Sequence, residues 1–217
     1  MTISEENYIK VIYHLSLVSP KGVNTNAIAG MLDTKASSVT DMLKKLSEKE
    51  LVSYQKYQGV SLTSKGLLSA KMIVRKHRLW EVFLVDKLNF SWDEVHEIAE
   101  ELEHIKSVKL IDKLDSFLGF PAFDPHGDPI PNEKGEIVKI DKLLLSEADL
   151  NFDYLCVGVK NSSVEFLQYL DKQKIALGST IKVISKEDFD ASLTINLNNY
   201  NVSISNKIAE NLFIKVK

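Results

Sequence analysis

The chain has 217 residues, 44% of them hydrophobic, so it can bury substantial cores and is long enough for two or three small domains. Its formal net charge of −3 excludes a chain that is basic throughout, and its one cysteine excludes an internal disulfide. No stretch approaches the roughly 18 consecutive apolar residues of a membrane span, and acids stand near the N-terminus where a secretory signal carries basic residues. We therefore expect a cytoplasmic protein with no membrane partner, and a buried structural thiol at Cys156, which lies in an apolar run.

The charge is divided unevenly along the chain. Residues 1–78 contain 12 lysines and arginines against 6 aspartates and glutamates, which makes this segment about +6 and the remainder about −9. Positive charge is what contact with nucleic-acid phosphates requires. The N-terminal segment is therefore where a DNA-binding motif is expected.

Apolar residues at helical spacing predict three helices near the N-terminus. They cover residues 5–17, 24–33 and 36–49. The short turn between the second and third helices is the layout of a helix-turn-helix. Residues 51–63 then show the pattern of two short strands that turn near Gly59. A hairpin directly after a recognition helix predicts a winged helix.

Three further helices and a turn-rich segment are predicted in the middle of the chain. A long helix covers residues 65–90, the next starts at Ser91 with Glu94 in the capping-box position, and a third covers residues 108–118. The segment 124–131 is dense in Pro, Gly and Asp, which indicates an ordered turn or linker. We expect a domain boundary after it.

Beyond about residue 150 the pattern changes to short β-type runs, with one amphipathic helix at residues 164–170. The runs are residues 154–159, 181–185, 192–196, 202–205 and 212–216. Their number and length fit a small SH3-like barrel. The predicted fold is mainly α with β: a winged helix-turn-helix domain at 1–72, a helical domain at 73–140 and an SH3-like domain at 150–217.

Potential metal ligands lie along two consecutive predicted helices, where helical spacing places each set on one face. They are His77 and Glu81 on the first helix, and His96, Glu100, Glu103 and His104 on the second. Histidines with carboxylates and no cysteine suit Mn, Fe, Co or Zn. Spacing alone leaves two alternatives open: a solvated acidic face on a metal-independent winged-helix factor, and a di-metal hydrolase. A hydrolase needs a positioned base in a substrate cleft, and without a nucleophile motif or phosphate loop we predict no enzyme and no small-molecule substrate.

Six segments carry a resemblance that covers nearly the whole chain: residues 7–13, 37–40, 62–66, 75–81, 96–104 and 125–131. Together they resemble the diphtheria toxin repressor family of iron- and manganese-dependent regulators, most of all its three-domain manganese-type members. The resemblance implies a winged helix, a helical dimerisation and metal-binding domain, and a C-terminal SH3-like (FeoA-like) domain. It also implies a repressor that binds a palindromic double-stranded DNA operator as a homodimer.

The resemblance implies two metal sites. The primary, regulatory site would use Asn7, Glu100, Glu103 and His104. The ancillary site would use His77, Glu81, His96 and, from the C-terminal domain, Glu165. Iron-type members carry cysteine where this chain has Glu100, and the carboxylate makes the site harder. Mn(II) is therefore expected as the co-repressor, with Fe(II) as the alternative and Co(II) or Zn(II) as substitutes in vitro.

Three departures from the family pattern affect these sites. Asn7 offers a neutral oxygen where manganese-type members usually have aspartate, which would lower affinity. Lys10 replaces an acid of the two-domain manganese regulators, so a tightly coupled metal pair is not expected. Ser162 stands where some members have a second acid three residues before Glu165, which would weaken the contact from the C-terminal domain. Two histidines, His14 and His126, are left outside the sites, with a structural hydrogen bond expected for His126.

Residues of the predicted helix-turn-helix and wing should contact the operator. We expect base contacts from Ser37, Ser38, Thr40 and Asp41, and phosphate contacts from Lys35, Lys44, Lys45 and Lys56. A metal that joins position 7 of the first helix to the ligands of the dimerisation domain would order the two domains. Such ordering would set the two recognition helices of a dimer roughly 34 Å apart, one DNA turn.

Overall fold

The computed structural model describes residues 1–19, 22–55, 59–197 and 199–217. The chain divides into two compact units, each assembled from three segments. Unit 1 comprises Met1–Trp80, Ala99–Leu114 and Ile130–Ile137, and unit 2 comprises Glu81–Ile98, Asp115–Pro129 and Val138–Lys217. Among the described residues, none of the helices combines the length and the apolar character needed to cross a bilayer.

Unit 1 begins with three helices: α1 (Ile3–Val18), α2 (Thr25–Met31) and α3 (Ala36–Glu48). A capping box starts α1, in which the Thr2 hydroxyl accepts from the Glu5 backbone N–H and the Glu5 carboxylate accepts from the Thr2 backbone N–H. Between α2 and α3 the chain reverses at Asp33, whose φ of 44° lies in the left-handed region that aspartate tolerates. The three helices form the predicted helix-turn-helix.

A hairpin of two antiparallel strands, β1 (Val52–Gln55) and β2 (Gly59–Leu62), follows α3. Val60 in β2 also exchanges backbone hydrogen bonds of 2.8 and 2.9 Å with Val23, which ties the hairpin to the segment before α2. The helices and the hairpin share one hydrophobic core, whose fully buried members include Ile9, Ile12, Ile28, Val39, Leu43 and Leu46. This arrangement is the predicted winged helix.

Three helices follow the hairpin: α4 (Ser64–Leu88), α5 (Val95–Leu102) and α6 (Val108–Phe117). Near the start of α4 a glycine is required, because a Cβ on Gly66 would lie 1.8 Å from the carbonyl oxygen of Leu51. The helix predicted to start at Ser91 begins four residues later. The Ser91 hydroxyl and backbone N–H both donate to the Glu94 carboxylate, and the turn that they close precedes the helix instead of forming its first turn.

Unit 2 contains an antiparallel sheet with the strand order β3-β8-β4-β5-β6-β7. The strands are β3 (Leu143–Leu144), β4 (Asp153–Val159), β5 (Thr180–Lys186), β6 (Leu193–Leu197), β7 (Tyr200–Ile204) and β8 (Leu212–Val216). Two helices, α7 (Val164–Lys172) and α8 (Asn206–Ala209), contribute buried residues to its core. The five predicted strands and the predicted helix are present. The extra strand β3 was not predicted, because two residues are too few to show an alternating pattern.

A tight turn that begins at Asp124 lies against β4 within unit 2. The Asp124 carboxylate accepts from the His126 backbone N–H at 2.9 Å, and the His126 carbonyl accepts from the Val159 backbone N–H at 3.0 Å. Gly127 has a φ of 83°, and a Cβ on it would lie 2.1 Å from the carbonyl oxygen of Val157. Only glycine fits both the backbone angle and the space, so the turn and β4 are locked together.

Candidate metal centre

Polar side chains from α1 and from the end of α5 lie in unit 1, and we call them the primary cluster. Contacts link Lys10, Glu100, Glu103 and His104, and Asn7, the predicted ligand of α1, stands three residues before Lys10. Asn7 and Lys10 are three residues apart on α1 and share a helix face. Glu100 and Glu103 have the same spacing, and the Glu103 backbone N–H still donates to the Ala99 carbonyl of α5 at 2.9 Å. The two glutamates and His104 belong to α5 and the turn after it. All four predicted primary ligands are therefore carried by two elements of the same unit.

Lys10 bridges the two carboxylates of the primary cluster. Its Nζ lies 2.5 Å from Glu100 Oε1 and 2.7 Å from Glu103 Oε1, and it donates a hydrogen bond of 2.8 Å to Glu103 Oε2. The Lys10 side chain is 10% exposed and that of Glu103 is 0% exposed. Water and salt screen such a pair far less than an exposed one. One ammonium group therefore neutralises two side chains that the sequence assigns to a metal ion.

Glu103 is held as a carboxylate although it is buried. His77 Nδ1 donates to Glu103 Oε2 at 2.7 Å. Burial alone would raise the pKa of Glu103, but the hydrogen bond from His77 and the charge of Lys10 outweigh burial and hold the pKa below its ordinary value. His77, Glu100 and Glu103 also offer ligand atoms within 4.8 Å of one another. Within unit 1, His77 therefore lies beside a primary ligand, and its assignment to the ancillary site stays a prediction of the resemblance.

His104 is oriented by a carboxylate of α1. Its Nδ1 donates to Glu6 Oε2 at 2.7 Å, and its Nε2 lies 3.9 Å from Glu103 Oε1. In the neutral tautomer, an imidazole that donates through Nδ1 keeps its lone pair on Nε2, which is the usual arrangement of a metal-ligating histidine and its outer carboxylate. Glu6 was not predicted, although it precedes Asn7 directly in the sequence.

Two buried oxygens of the primary cluster accept no hydrogen bond within the part of the chain that the structure describes: Asn7 Oδ1 and Glu103 Oε1. The Lys10 ammonium lies near Glu103 Oε1, but without the geometry of a hydrogen bond. Glu103 Oε1 is thus compensated by charge, whereas the unpaired Asn7 Oδ1 costs about 1–3 kcal/mol, which a bound cation would remove. Amide and carboxylate oxygens with an imidazole are the donors that borderline-to-hard divalent ions prefer, so these residues fit a divalent metal ion.

A second group of potential ligands lies in unit 2, and we call it the Glu81 cluster: Glu81, His96, Asp124 and His126. Glu81 Oε1 lies 3.5 Å from His96 Nδ1 and 3.8 Å from His126 Nδ1. The ligand atoms of Glu81, Asp124 and His126 are within 4.8 Å of one another and all three residues are buried, whereas the His96 side chain is 59% exposed. Of the predicted ancillary ligands, the structure brings Glu81 and His96 together in this unit.

His126 makes the structural hydrogen bond expected from the sequence. Its Nε2 donates to the Trp92 carbonyl at 2.8 Å, and its ring stacks on the Trp92 indole at 6.2 Å between centroids. Burial would lower the pKa of His126, but the Glu81 carboxylate and then Asp124 outweigh it and raise the pKa to about 8. The sequence pattern missed that His126 faces Glu81, because the two are 45 positions apart in the numbering.

Glu165, the fourth predicted ancillary ligand, is exposed in the first turn of α7. Two side-chain hydrogen bonds hold α7 to the segment before α5: Trp92 Nε1 donates to Asp171 at 3.1 Å, and Gln168 Nε2 donates to Asp93 at 3.0 Å. Among the described residues, Glu165 belongs to no group of three potential ligands. Its metal contact stays a prediction of the resemblance.

The predicted DNA contacts lie mostly on the outer face of α3. The inner face is fully buried through Val39, Leu43 and Leu46. The exposed residues are Lys35, Ser37, Ser38, Asp41, Lys44 and Lys45. The basic and small polar side chains that could contact DNA are therefore free of the protein core, as a recognition helix requires.

Three of the predicted contact residues, Thr40, Asp41 and Lys44, have partners within α3. The Thr40 hydroxyl donates to the Ala36 carbonyl at 3.0 Å, and Lys44 pairs with Asp41 at 3.3 Å. Both members of the ion pair are well exposed, so solvent screens their attraction. Lys56 lies outside the described residues.

Three family models match consecutive parts of the chain. The N-terminal DNA binding domain of the iron dependent repressors matches residues 1–60, their metal binding and dimerisation domain matches residues 63–132, and the FeoA domain matches residues 131–216. With the winged helix and a cluster that fits a divalent ion, these matches define a metal-dependent DNA-binding transcriptional repressor and not an enzyme. Its parts are a DNA-binding domain, a helical dimerisation and metal-binding domain, and a C-terminal β domain.

Relatives and solved structures agree with this class. The HTH-type transcriptional regulator MntR of Oceanobacillus iheyensis is 36% identical over 120 residues, which are 55% of this chain and 80% of that protein. A manganese-dependent transcriptional repressor in complex with manganese superposes with a TM-score of 0.84 at 30% identity, covering 98% of this chain and 100% of the other. The chain belongs to the diphtheria toxin repressor family, as its motifs predicted.

One further relative matches only in part. A probable metal transport system membrane protein of Chlamydia trachomatis is 48% identical over 86 residues, which are 40% of this chain. The chain spans 19% of the length of that protein. The likeness therefore concerns one segment of the chlamydial protein.

Proposed function

We propose that this repressor controls genes of metal-ion homeostasis and that Mn(II) is its co-repressor. It acts in the cytoplasm as a homodimer on a palindromic double-stranded DNA operator. The observation that carries the proposal is the primary cluster, in which the buried Glu103 carboxylate lies beside the carboxylate-oriented imidazole of His104 without a thiolate, while α1 carries the buried, unpaired amide oxygen of Asn7. Manganese prefers oxygen and imidazole donors of this kind.

The metal would be held by Asn7, Glu100, Glu103 and His104, where its two positive charges would hold α1 and α5 together. Asn7 supplies a ligand from the DNA-binding domain, and the other three come from α5 and the turn after it. Glu6 orients His104 through the 2.7 Å hydrogen bond to Nδ1. These residues therefore make the position of α1 depend on metal, and α1 packs in the same core as the recognition helix α3.

Operator binding would use the exposed face of α3. Ser37, Ser38, Thr40 and Asp41 would contact base edges, and Lys35, Lys44, Lys45 and Lys56 would contact phosphates. A dimer needs its two recognition helices roughly 34 Å apart. To change the ratio of DNA-binding to non-binding conformations from 1:99 to 99:1, the metal must bind the DNA-binding conformation about 5.5 kcal/mol more strongly than the other. A site whose ligands come from two elements can supply this difference.

Glu81 and His96 are proposed as ligands of the ancillary site, with His77 and Glu165 as the further ligands that the resemblance implies. The 3.5 Å approach of His96 Nδ1 to Glu81 Oε1 supports the first pair. The high exposure of His96 leaves this site open to solvent. We expect the ancillary metal to add stability to unit 2 and to have a smaller effect on operator affinity.

The test is operator binding by chelator-treated protein, with sites selected from its own genome, in titrations of Mn(II), Fe(II), Co(II) and Zn(II). Wild type is compared with Glu103→Ala and with Glu101→Ala, which removes an exposed acid at the end of α5, two residues before Glu103. We expect Mn(II) to activate wild type and Glu101→Ala at the lowest free concentration and to leave Glu103→Ala inactive.

Other outcomes separate the alternatives. Activation by Fe(II) at lower free concentration than Mn(II) would make the protein an iron-dependent repressor. If the protein binds the operator tightly in chelator, and neither metal nor the Glu103 substitution changes that affinity, it is a winged-helix DNA-binding protein whose binding does not depend on metal.

A further inference from the structure

Lys10 belongs to the primary cluster, but its protonated ammonium group has no lone pair with which to bind a metal ion. It nevertheless makes the shortest contact of the cluster. Its Nζ lies 2.5 Å from Glu100 and 2.7 Å from Glu103. A lysine ammonium is a compact point charge. It therefore occupies the electrostatic position of a cation between two carboxylates that would otherwise repel each other.

We propose that Lys10 is a tethered counter-cation of the regulatory metal site: its ammonium neutralises Glu100 and Glu103 when no metal is bound, and it opposes metal binding when metal is present. The inference rests on the proposed function, because it assumes that these glutamates are metal ligands. It assigns Lys10 the task of setting the metal concentration at which the site fills.

The burial of the bridge makes this task possible. The Lys10 side chain is 10% exposed and Glu103 is fully buried, whereas Glu100 is 38% exposed. At the buried end, the charges are desolvated and removal of one partner leaves the other uncompensated. Lys10 and Glu103 are 93 positions apart, on α1 and after α5, so the bridge also fastens these two elements without metal.

The same charge works against a divalent ion. A cation bound by Glu100 and Glu103 shares their oxygens with Lys10 or has Lys10 as a close neighbour, and like charges in a site of low water content repel strongly. Lys10 therefore has opposite effects on the two states. It stabilises the empty site and weakens the filled one.

The experiment compares full-length wild type with Lys10→Met, which keeps the chain length and removes the charge. Lys49→Met is the matched control. Lys49 also pairs closely with a glutamate of α1, at 2.6 Å from Glu5, but its side chain is 51% exposed and Glu5 is not a predicted ligand. Two quantities are measured without DNA. They are the melting temperature after chelation, and Mn(II) affinity from the electron paramagnetic resonance signal of free Mn(II).

We expect Lys10→Met to lower the metal-free melting temperature by about 5–10 °C and to raise Mn(II) affinity at least about tenfold. Saturating Mn(II) should close or reverse the difference in melting temperature from wild type, which a purely structural lysine would not produce. Lys49→Met should change Mn(II) affinity by less than about twofold. If Lys10→Met does not fold without metal, Lys10→Gln replaces it with the same expected directions.

Two results would overturn the inference alone: Mn(II) affinity that is unchanged or weaker in the Lys10 variants, or a metal-free melting temperature equal to that of wild type. In either case wild type would still bind Mn(II), so the proposed function would stand. A wild type that binds no Mn(II) at millimolar concentration would overturn both.

Discussion

The primary cluster and the Glu81 cluster hold their buried carboxylates in different ways. Glu103 is fixed by short contacts of 2.7 and 2.8 Å to a histidine and a lysine that come from distant parts of unit 1. Glu81 faces two imidazoles at 3.5 and 3.8 Å. One of these, His126, is set by the backbone of the glycine turn that β4 locks in place. The primary cluster thus joins distant side chains by charge, whereas in the Glu81 cluster backbone packing sets the position of His126 and charge acts on its pKa.

This difference suggests that the two clusters respond differently to a bound cation. A cluster that joins α1 to α5 by charge can respond to the arrival of another cation, because the new charge competes for the same oxygens. A cluster positioned by close backbone packing has a geometry that changes little with occupancy. We therefore expect charge-changing substitutions to act mainly on the primary cluster, and substitutions that add volume to act mainly on the turn.

Glu103→Ala should have the largest effect. It removes the buried carboxylate that both Lys10 and His77 contact and leaves Lys10 paired with Glu100 alone, which costs about 3–5 kcal/mol, and it removes a proposed metal ligand. Hydrogen exchange measured by mass spectrometry without metal should show faster exchange in α1 and α5 and unchanged exchange in the β4 region. Exchange that rises equally in β4 would remove the contrast between the two clusters.

Gly127→Ala should be the strongest single change in unit 2. Its Cβ would meet the Val157 carbonyl at 2.1 Å at a positive φ of 83°, and overpacking plus backbone strain should cost about 2–5 kcal/mol. Gly119→Ala is the matched control, because Gly119 also has a positive φ of 76° but nothing within 4 Å of the added Cβ. Thermal melting should show a clearly larger loss for Gly127→Ala. Equal losses would mean that backbone strain alone matters and that the contact with β4 does not.

His96→Ala should lower the number of metal ions bound and have only a modest effect on the metal-dependent binding of the operator. His96 is 59% exposed and contacts Glu81 in unit 2, so its loss should reduce the number of Mn(II) ions bound while the primary cluster keeps its ligands. Operator affinity in saturating Mn(II) should fall by no more than about tenfold, a modest coupling between sites. Equilibrium dialysis with metal analysis gives the number of ions bound, and fluorescence anisotropy gives the affinity. A complete loss of operator binding would make the Glu81 cluster part of the switch.

Much of the fold followed from sequence patterns that are local. Helical spacing and turn residues predicted α1, α2, α3 and the hairpin, and short apolar runs predicted five strands of the C-terminal sheet. The start of α5 was predicted four residues early, at Ser91 instead of Val95. The Ser91–Glu94 capping pattern indicates a closed turn, but it does not indicate whether a helix starts with that turn or after it.

The sequence placed the candidate ligands of the primary cluster near one another, but it did not indicate the side chains that pair with them. Helical spacing placed Glu100, Glu103 and His104 together because they are close in sequence. Lys10 was interpreted only as a lost acidic ligand, and its bridge to both glutamates spans about 90 positions, which no periodicity can report. The hydrogen bond from His77 to Glu103 depends likewise on how α4 and α5 pack. Tertiary contacts between charged groups therefore remain the part that a single sequence does not provide.

Lys44→Ala compares an exposed ion pair with the buried ion pairs of Lys10. Lys44 and Asp41 are 62% and 70% exposed at 3.3 Å, so unlike the buried Lys10 bridge this pair should add little to stability, at most about 0.5 kcal/mol. Operator affinity should weaken evenly across sequences, and the slope of log affinity against log salt should become shallower by about one unit. Anisotropy titrations at several salt concentrations measure that slope. An unchanged slope would remove Lys44 from the phosphate contacts.

Cys156 tests what burial does to the pKa of an acid that has no lysine partner. The Cys156 thiol is 2% exposed, and burial raises its pKa from the ordinary 9.0 to about 11, whereas the partners of Glu103 override burial and lower its pKa. Because the folded pKa is the higher one, this thiol favours the folded state below about pH 9, and the benefit is lost as pH rises towards 11. At pH 8 the native thiolate fraction should be on the order of 100-fold lower than in unfolded protein. Iodoacetamide should therefore alkylate Cys156 at least that much more slowly in native protein than in urea, and equal rates would show that the thiol is accessible and not neutralised by burial.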